Sequence, residues 1–134
     1  MLEPMNSQNN SYQLLGGRLK MLSAEGGYRA AIDPVLLAAS VPAQKGQSVL
    51  EVGCGTGAAA LCLALRLPEI RVMGIDAQSP LIELASEIAA LNELETRAQF
   101  LALDLLAVAD HLQHLTFDHV MANPPHHKKG SGNP

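Results

Sequence analysis

The chain has 134 residues, a formal net charge of −4 and a pI of about 5.6. Hydrophobic residues make up 48% and charged residues 16%, which excludes an intrinsically disordered chain. The longest apolar run, residues 58–65, is too short to span a membrane, and the acidic pI excludes a uniformly basic nucleic-acid-binding surface. The length fits one domain with its own core.

The first part of the chain predicts a tail, a hairpin and a helix. Residues 1–13 are rich in polar side chains and predict a flexible N-terminal tail. The unit 14–46 begins with partly alternating apolar residues around a pair of glycines, a pattern typical of short strands or a hairpin. Asp33 and Pro34 then predict the start of a helix, with Asp33 as its cap and Pro34 at its first position.

From residue 47 onward, short apolar strands alternate with helical segments. This alternation predicts a parallel sheet with right-handed crossovers, in a domain that covers residues 47–134. The predicted strands are residues 48–52, 71–75, 98–103 and 117–122. The predicted helices are residues 58–67, 79–92 and 106–112.

Two of these helices have patterns that predict how they pack. The helix at 58–67 is apolar all round, so we expect it to be buried. Ser79 and Pro80 predict the cap and the start of the next helix. The apolar residues expected to share one face of that helix are Leu81, Leu84, Ala85 and Ile88.

A glycine-rich loop between the first parallel strand and its helix is the first candidate site. Glu51 is followed by Gly53, Gly55 and Gly57 at alternate positions. Glycines let the backbone approach a ligand without a Cβ in the way, and the N-terminus of the following helix favours an anionic group. The loop therefore predicts a site for a ligand that carries a phosphate or a carboxylate.

Two carboxylates follow the next two strands. Asp76 can accept hydrogen bonds from the two hydroxyls of a ribose. Asp104 can receive an adenine amine or cap the next helix, and taken alone it favours the cap. Gly53, Gly55 and Ala58 also satisfy a permissive dinucleotide fingerprint, so these residues by themselves leave both a nicotinamide dinucleotide and S-adenosylmethionine open.

An Asn-Pro-Pro-His turn, Asn123 to His126, directly follows the fourth strand. Pro124 and Pro125 fix the backbone and remove two N–H donors, so carbonyl groups in the turn are left to accept hydrogen bonds. Together with the side-chain carbonyl of Asn123 they can hold a planar amino group, and the ring of His126 can stack on the group that carries it. The turn predicts the catalytic site for chemistry on an amine.

Charge and cysteine usage bear on partners and compartment. Residues 48–110 have a net charge of −6, so any contact with nucleic acid has to use the basic flanks. Cys54 and Cys62 are too few for a disulfide framework and predict buried, reduced thiols in a cytoplasmic protein. His126 and His127 have no other ligand type at suitable spacing, so no metal site is expected. The flanking basic residues include Arg18, Lys20, Arg29, Lys128 and Lys129.

The glycine loop followed by the Asn-Pro-Pro turn resembles the class I S-adenosylmethionine-dependent methyltransferases, in the branch that methylates amino groups. Residues 27–38, GYRAAIDPVLLA, are similar to bacterial tRNA (adenine-N6)-methyltransferases. The resemblance covers residues 14–134 and implies S-adenosyl-L-methionine as cofactor. It implies substrate-amine contacts at Asn123 and Pro124. The implied cofactor contacts are Glu51, Gly53, Gly55, Gly57, Asp76 and Asp104.

The chain departs from this family pattern at two points. His126 stands where the family usually has Tyr or Phe, which gives less area for stacking. Family members also continue for three more strands, in the sheet order 3-2-1-4-5-7-6. We therefore expect the N-terminal part of an α/β, Rossmann-like methyltransferase sheet, parallel, in the order 3-2-1-4, with helices on both faces.

The resemblance implies methyl transfer to an exocyclic or amide amine, with adenine in tRNA as the first choice of substrate. The alternatives are protein glutamine N-methylation and a non-catalytic cofactor-binding remnant. The expected partner is tRNA or another RNA, a protein substrate is possible, and no membrane is involved. With few walls around the Asn-Pro-Pro turn we expect little or no turnover, and the open edge of the fourth strand predicts self-association.

Overall fold

The computed structural model describes residues 11–24, 26–27 and 29–124. The chain begins there with an antiparallel hairpin of strands β1 (Ser11–Leu14) and β2 (Leu19–Leu22), joined by a 3₁₀ turn at Leu15–Gly17. The predicted hairpin is therefore found. Residues 11–13, predicted as part of the tail, instead belong to β1 because their backbone pairs with β2, and the rest of that tail lies outside the described residues.

Helix α1 covers Ile32–Ser40, so it begins before the residues that were expected to start it. Asp33 lies in the first turn rather than at the cap, and Ala31 occupies the N-cap without a side-chain hydrogen bond. Pro34 fits the third helical position because N–H groups of the first turn have no partner within the helix. The far end is held by Arg66, whose guanidinium donates to the carbonyl oxygens of Ala38 and Val41.

Four parallel strands form the main sheet in the order β5-β4-β3-β6. Counted from the first parallel strand, this is the predicted order 3-2-1-4. The central pair is β3 and β4, which places the glycine loop after β3 and the end of β4 side by side. The strands are β3 (Ser48–Val52), β4 (Arg71–Asp76), β5 (Ala98–Ala102) and β6 (His119–Ala122).

The connecting helices are α2 (Ala58–Arg66), α3 (Ser79–Leu91) and α4 (Val108–Leu112), with a 3₁₀ turn at Leu105–Ala107 before α4. As expected, α2 is buried almost all round. The start of α3 differs from the prediction, because Gln78 rather than Ser79 is its N-cap.

The buried face of α3 also differs from the prediction. Leu81 and Leu84 are only half-buried, since the packing against the sheet and the hairpin turns Ile82 and Ala89 inward instead. The predicted face is correct at its other two positions. The buried residues of α3 are Ile82, Ala85, Ile88 and Ala89.

Two apolar clusters cover the two faces of the sheet. The larger one joins the hairpin, α1, α2 and α3 to one face, and the smaller one packs α4 through Leu112 against Leu50 and Ile75 on the other. Helices therefore lie on both faces, as predicted. No helix among the described residues is long and apolar enough to cross a membrane.

Strand β6 lies at an edge of the described sheet, and its Val120 side chain is 65% exposed. Open apolar edges favour association, so we expect the 134-residue chain to form oligomers in light scattering and Val120→Lys to shift it toward the monomer. Leu106→Lys is the control, because Leu106 is 93% exposed but lies away from β6. A monomeric wild-type chain would contradict this prediction.

Candidate functional site

The glycine loop, residues 53–57, is tied to the end of the neighbouring strand. The amides of Gly53 and Cys54 both donate to the carbonyl oxygen of Ile75, at 2.8 and 3.0 Å. Within the loop, the amide of Gly57 donates to the carbonyl of Cys54 at 2.9 Å. The loop is thus a fixed turn between β3 and α2, and its position depends on β4.

The three glycines of this loop are required for two different reasons. Gly53 and Gly55 have φ values of +70° and +55°, and a Cβ on either would meet no atom within 4 Å. Such a Cβ would project into the open space beside the loop, where a ligand could lie. Gly57 faces inward instead, because a Cβ there would come within 2.8 Å of the Phe100 ring. Gly57 therefore serves packing between the loop and β5.

Asp76, the last residue of β4, holds the loop through its carboxylate. Its Oδ2 accepts the amide of Gly55 at 2.9 Å, and its Oδ1 accepts the amide of Gln78 at 2.9 Å. Each oxygen keeps further acceptor capacity, so the carboxylate can bind hydroxyl groups as well. The sequence predicted a ligand contact here, and the structure adds a second role that spacing alone did not reveal.

Glu51 reaches beneath the loop to the start of α2. Its side chain is 3% exposed, and its Oε1 accepts the amide of Ala60 at 3.1 Å. The N-cap residue, Gly57, has no side chain that could cap this helix, so Glu51 supplies the missing acceptor from β3. Burial raises the pKa of the Glu51 carboxyl to about 8, the amide of Ala60 opposes this, and the negative charge of Asp76 adds to it.

This raised pKa predicts a pH-dependent stability. The folded chain binds a proton at Glu51 up to a pKa of about 8, whereas the unfolded chain releases it at the ordinary value of 4.5. The stability that proton binding at Glu51 contributes is therefore complete below pH 4.5. It decreases as the pH rises and is lost once the pH has passed through 8. We expect the free energy of unfolding, measured with urea, to fall over this range in the wild type.

The matched variants are Glu51→Gln and Glu83→Gln. The first keeps an acceptor for the amide of Ala60 but cannot ionise, so its stability should not fall over this range. The second removes an exposed carboxylate of α3 and should retain the wild-type decline. An identical decline in Glu51→Gln would show that another group titrates.

Two cavities adjoin the loop and share Gly53 in their linings. The Asn123 cavity, about 100 Å³, is lined by Glu51, Gly55 and Asn123 among others. The Asp76 cavity, about 260 Å³, lies beside Asp76, Asp104 and Leu103. Except for Gly57 and Pro124, every predicted site residue that the structure describes thus lines one of two cavities at the carboxyl ends of the strands. A separate cavity of about 240 Å³, near Ser48 and Phe117, contains none of them.

Asp104 caps the 3₁₀ turn before α4. Its Oδ1 accepts the amide of Leu106 at 2.9 Å, which agrees with the interpretation that the sequence favoured. The side chain is exposed and also lines the Asp76 cavity, so capping does not remove it from the site. The cap fixes the carboxylate at the carboxyl end of β5.

Asn123 and Pro124 follow β6, and both are exposed. Asn123 lines the cavity named after it, beside the glycine loop, as the order of the strands requires. Pro125 and His126 lie outside the described residues, as do His127, Lys128 and Lys129.

The sequence analysis assigned no ligand contact to several residues that line the Asn123 cavity. They include Ala30, Pro34 and Thr56, and Thr56 is one of the few buried polar residues. A threonine between two loop glycines was a visible signal, whereas nothing local marked Ala30. The two cysteines are free and buried, as predicted, and burial raises the pKa of the Cys62 thiol to about 11.

Comparison with known proteins shows what this chain is similar to. The family described as "Methyltransferase small domain" matches residues 29–133. A protein of Yersinia enterocolitica named tRNA1(Val) (adenine(37)-N6)-methyltransferase is 33% identical over 99 residues, which are 73% of this chain and 39% of that protein. A Yersinia pestis protein of the same name is 31% identical over 73% of this chain and 40% of its own length. The chain thus spans about two fifths of the curated relatives it matches.

Solved structures share the fold. A SAM-dependent methyltransferase from Agrobacterium tumefaciens superposes with a TM-score of 0.65 at 22% identity, over 86% of this chain and 39% of that one. A SAM-dependent methyltransferase from Thiobacillus denitrificans, in complex with S-adenosyl-L-homocysteine, has a TM-score of 0.60 at 21% identity, over 73% and 40%. At these identities the likeness bears on the fold alone.

Proposed function

This chain belongs to the methyltransferase small domain family, and we propose that it binds S-adenosyl-L-methionine and contributes to methyl transfer onto an amino nitrogen. The observation that carries the proposal is the Asn123 cavity. There the residue suited to hold an amine lines the same space as the glycine loop. An acceptor for a substrate amine beside the glycine loop favours a methyl-donating cofactor over a nicotinamide dinucleotide.

The residues present fit this cofactor. Asp76 and Asp104, at the ends of adjacent strands, suit the hydroxyl and amino groups of an adenosine in the Asp76 cavity. Gly53 lines both cavities, and its missing Cβ leaves space beside the loop for a ligand that extends from one cavity to the other. The methionine end then falls in the Asn123 cavity. When bound, the cofactor supplies an electrophilic methyl group on a sulfonium.

The main contribution of the protein is to position the substrate amine. The side-chain oxygen of Asn123 and the carbonyl of the following turn accept hydrogen bonds from an amino group, which raises electron density on its nitrogen and orients it. Pro124 keeps the turn rigid because its ring fixes φ. Pro125 and His126 complete the proposed catalytic turn, with the His126 ring stacking on the substrate.

We propose adenine in tRNA as the substrate. Relatives at 31–33% identity carry the name of a tRNA adenine methyltransferase. Arg18, Lys20 and Arg29 are exposed on the hairpin and the segment after it, outside the acidic middle of the chain. A base inside folded RNA has to leave its stack to reach Asn123. The same proposal places the protein in the cytoplasm.

The test is methyl transfer from radiolabelled S-adenosyl-L-methionine, with the chain in excess so that a single turnover is detected. One reaction contains unmodified tRNA and the other a protein extract. Label recovered as N6-methyladenosine in tRNA supports the proposal, and Asn123→Ala should abolish it. Label in protein alone favours glutamine methylation.

A separate binding measurement tests the cofactor assignment. Binding of S-adenosyl-L-homocysteine without transfer to either substrate identifies a non-catalytic remnant, which agrees with the low turnover expected from the sequence. Absence of binding in calorimetry would overturn the cofactor assignment itself.

A further inference from the structure

One wall of the Asn123 cavity comes from a segment outside the parallel sheet. Ala30 and Pro34 line this cavity together with Gly55 and Asn123. Both belong to the stretch that leads from β2 into α1. Pro34 lies in the first turn of α1, whereas Ala30 precedes the helix, and the N-cap residue Ala31 makes no side-chain cap hydrogen bond.

The hairpin makes a contact that can fix the position of Ala30. The amide of Ala30 donates to the hydroxyl of Tyr12 at 2.8 Å, across 18 positions of the chain. The neighbouring Arg29 places its guanidinium 5.2 Å from the centre of the Tyr12 ring, and its Nε donates to the hydroxyl of Ser23 at 3.1 Å. Tyr12 thus contacts Ala30, which lines the cavity, and the preceding residue Arg29.

The hairpin is itself held firmly in the core. Leu19 and Met21 of β2 are fully buried in the larger apolar cluster. Asn92, at the end of α3, pairs with the backbone of Lys20 in both directions: its Oδ1 accepts the amide at 2.9 Å and its Nδ2 donates to the carbonyl at 2.7 Å. These contacts give Tyr12 a rigid base.

We propose that Tyr12 is a positioning residue of the site, which sets the cavity wall at Ala30 and Pro34 through its hydroxyl and thereby shapes the space for the methionine end of the cofactor. The inference rests on the proposed function, because it takes that end to lie in the Asn123 cavity. It predicts a selective effect: loosening this wall weakens ligands that enter the Asn123 cavity and spares those confined to the Asp76 cavity.

Two probes distinguish the cavities in calorimetry. S-adenosyl-L-homocysteine extends through both, whereas adenosine occupies the Asp76 cavity only. In Tyr12→Phe, which keeps the ring and loses the hydroxyl, we expect about fivefold to tenfold weaker binding of S-adenosyl-L-homocysteine and unchanged binding of adenosine. Hydrogen exchange of the peptide that contains Ala30 should be faster in this variant.

Two further variants make the test specific. Gln13→Ala changes an exposed neighbour on β1 and should bind both probes like the wild type. Asn92→Ala removes the contacts that hold Lys20 of the hairpin, so it should also weaken binding of S-adenosyl-L-homocysteine and leave binding of adenosine unchanged. In the double variant with Tyr12→Phe, the loss of affinity for S-adenosyl-L-homocysteine should be smaller than the two single losses combined.

The outcomes separate this inference from the proposed function. If Tyr12→Phe loses affinity equally for both probes, or for neither, the positioning role is overturned while the cofactor assignment stands. If the wild type binds neither probe, the proposed function fails and the positioning role fails with it.

Discussion

Gly55→Val is expected to weaken binding of S-adenosyl-L-homocysteine by more than about 100-fold, because its side chain would enter the space that the ligand needs. A Cβ at Gly55 meets no protein atom within 4 Å, so the added group points away from the core. The φ of +55° also disfavours a β-branched residue, and a shift of the backbone there would break the hydrogen bond from the Gly55 amide to Asp76.

Gly46→Val is the matched control for this prediction. Gly46 also has a positive φ, of +82°, and a Cβ there also meets no atom within 4 Å. It lies before β3, at the amino ends of the strands, so its substitution causes similar backbone strain far from both cavities. Both variants should be less stable in urea unfolding, but only Gly55→Val should lose affinity for S-adenosyl-L-homocysteine. Equal affinities would place the ligand elsewhere.

Asp76→Ala is expected to weaken binding of S-adenosyl-L-homocysteine roughly 10- to 100-fold, the scale of hydrogen bonds to a charged group. The substitution removes the acceptor proposed for the ribose hydroxyls. It also leaves the amides of Gly55 and Gln78 without their shared acceptor, so the loop loses its attachment to β4. The affinity is measured by calorimetry, and stability by urea unfolding.

Asp118→Ala is the control for this second variant. Asp118 also accepts a backbone amide across strands, that of Ser48 at 2.8 Å, but this contact lies at the amino ends of the strands, opposite to the candidate site. We expect a comparable loss of stability and unchanged affinity. A similar loss of affinity in both variants would mean that the effect of Asp76→Ala comes from general destabilisation.

Some features of the site depended on contacts that no local pattern displays. Gly57 resembles its two neighbouring glycines in the sequence, yet it is needed because Phe100, far along the chain, packs against it. The tail prediction for residues 11–13 was wrong for a related reason: a polar strand such as β1 is stabilised by its partner β2, and composition alone does not reveal the pairing.

The sequence by itself determined the alternation of strands and helices in a parallel sheet, which follows from hydrophobic periodicity, a local property, and from the right-handed crossover rule. The strand order, and with it the meeting of Gly53, Asp76 and Asn123 at the carboxyl ends of the strands, was implied by the resemblance of the glycine loop and the Asn-Pro-Pro turn to a known family and agrees with the structure. Only the tertiary structure decided that Glu51 caps α2 and that Tyr12 supports a cavity wall. Such roles arise from side chains that meet across long stretches of chain, and their distances are set by packing rather than by spacing in the sequence.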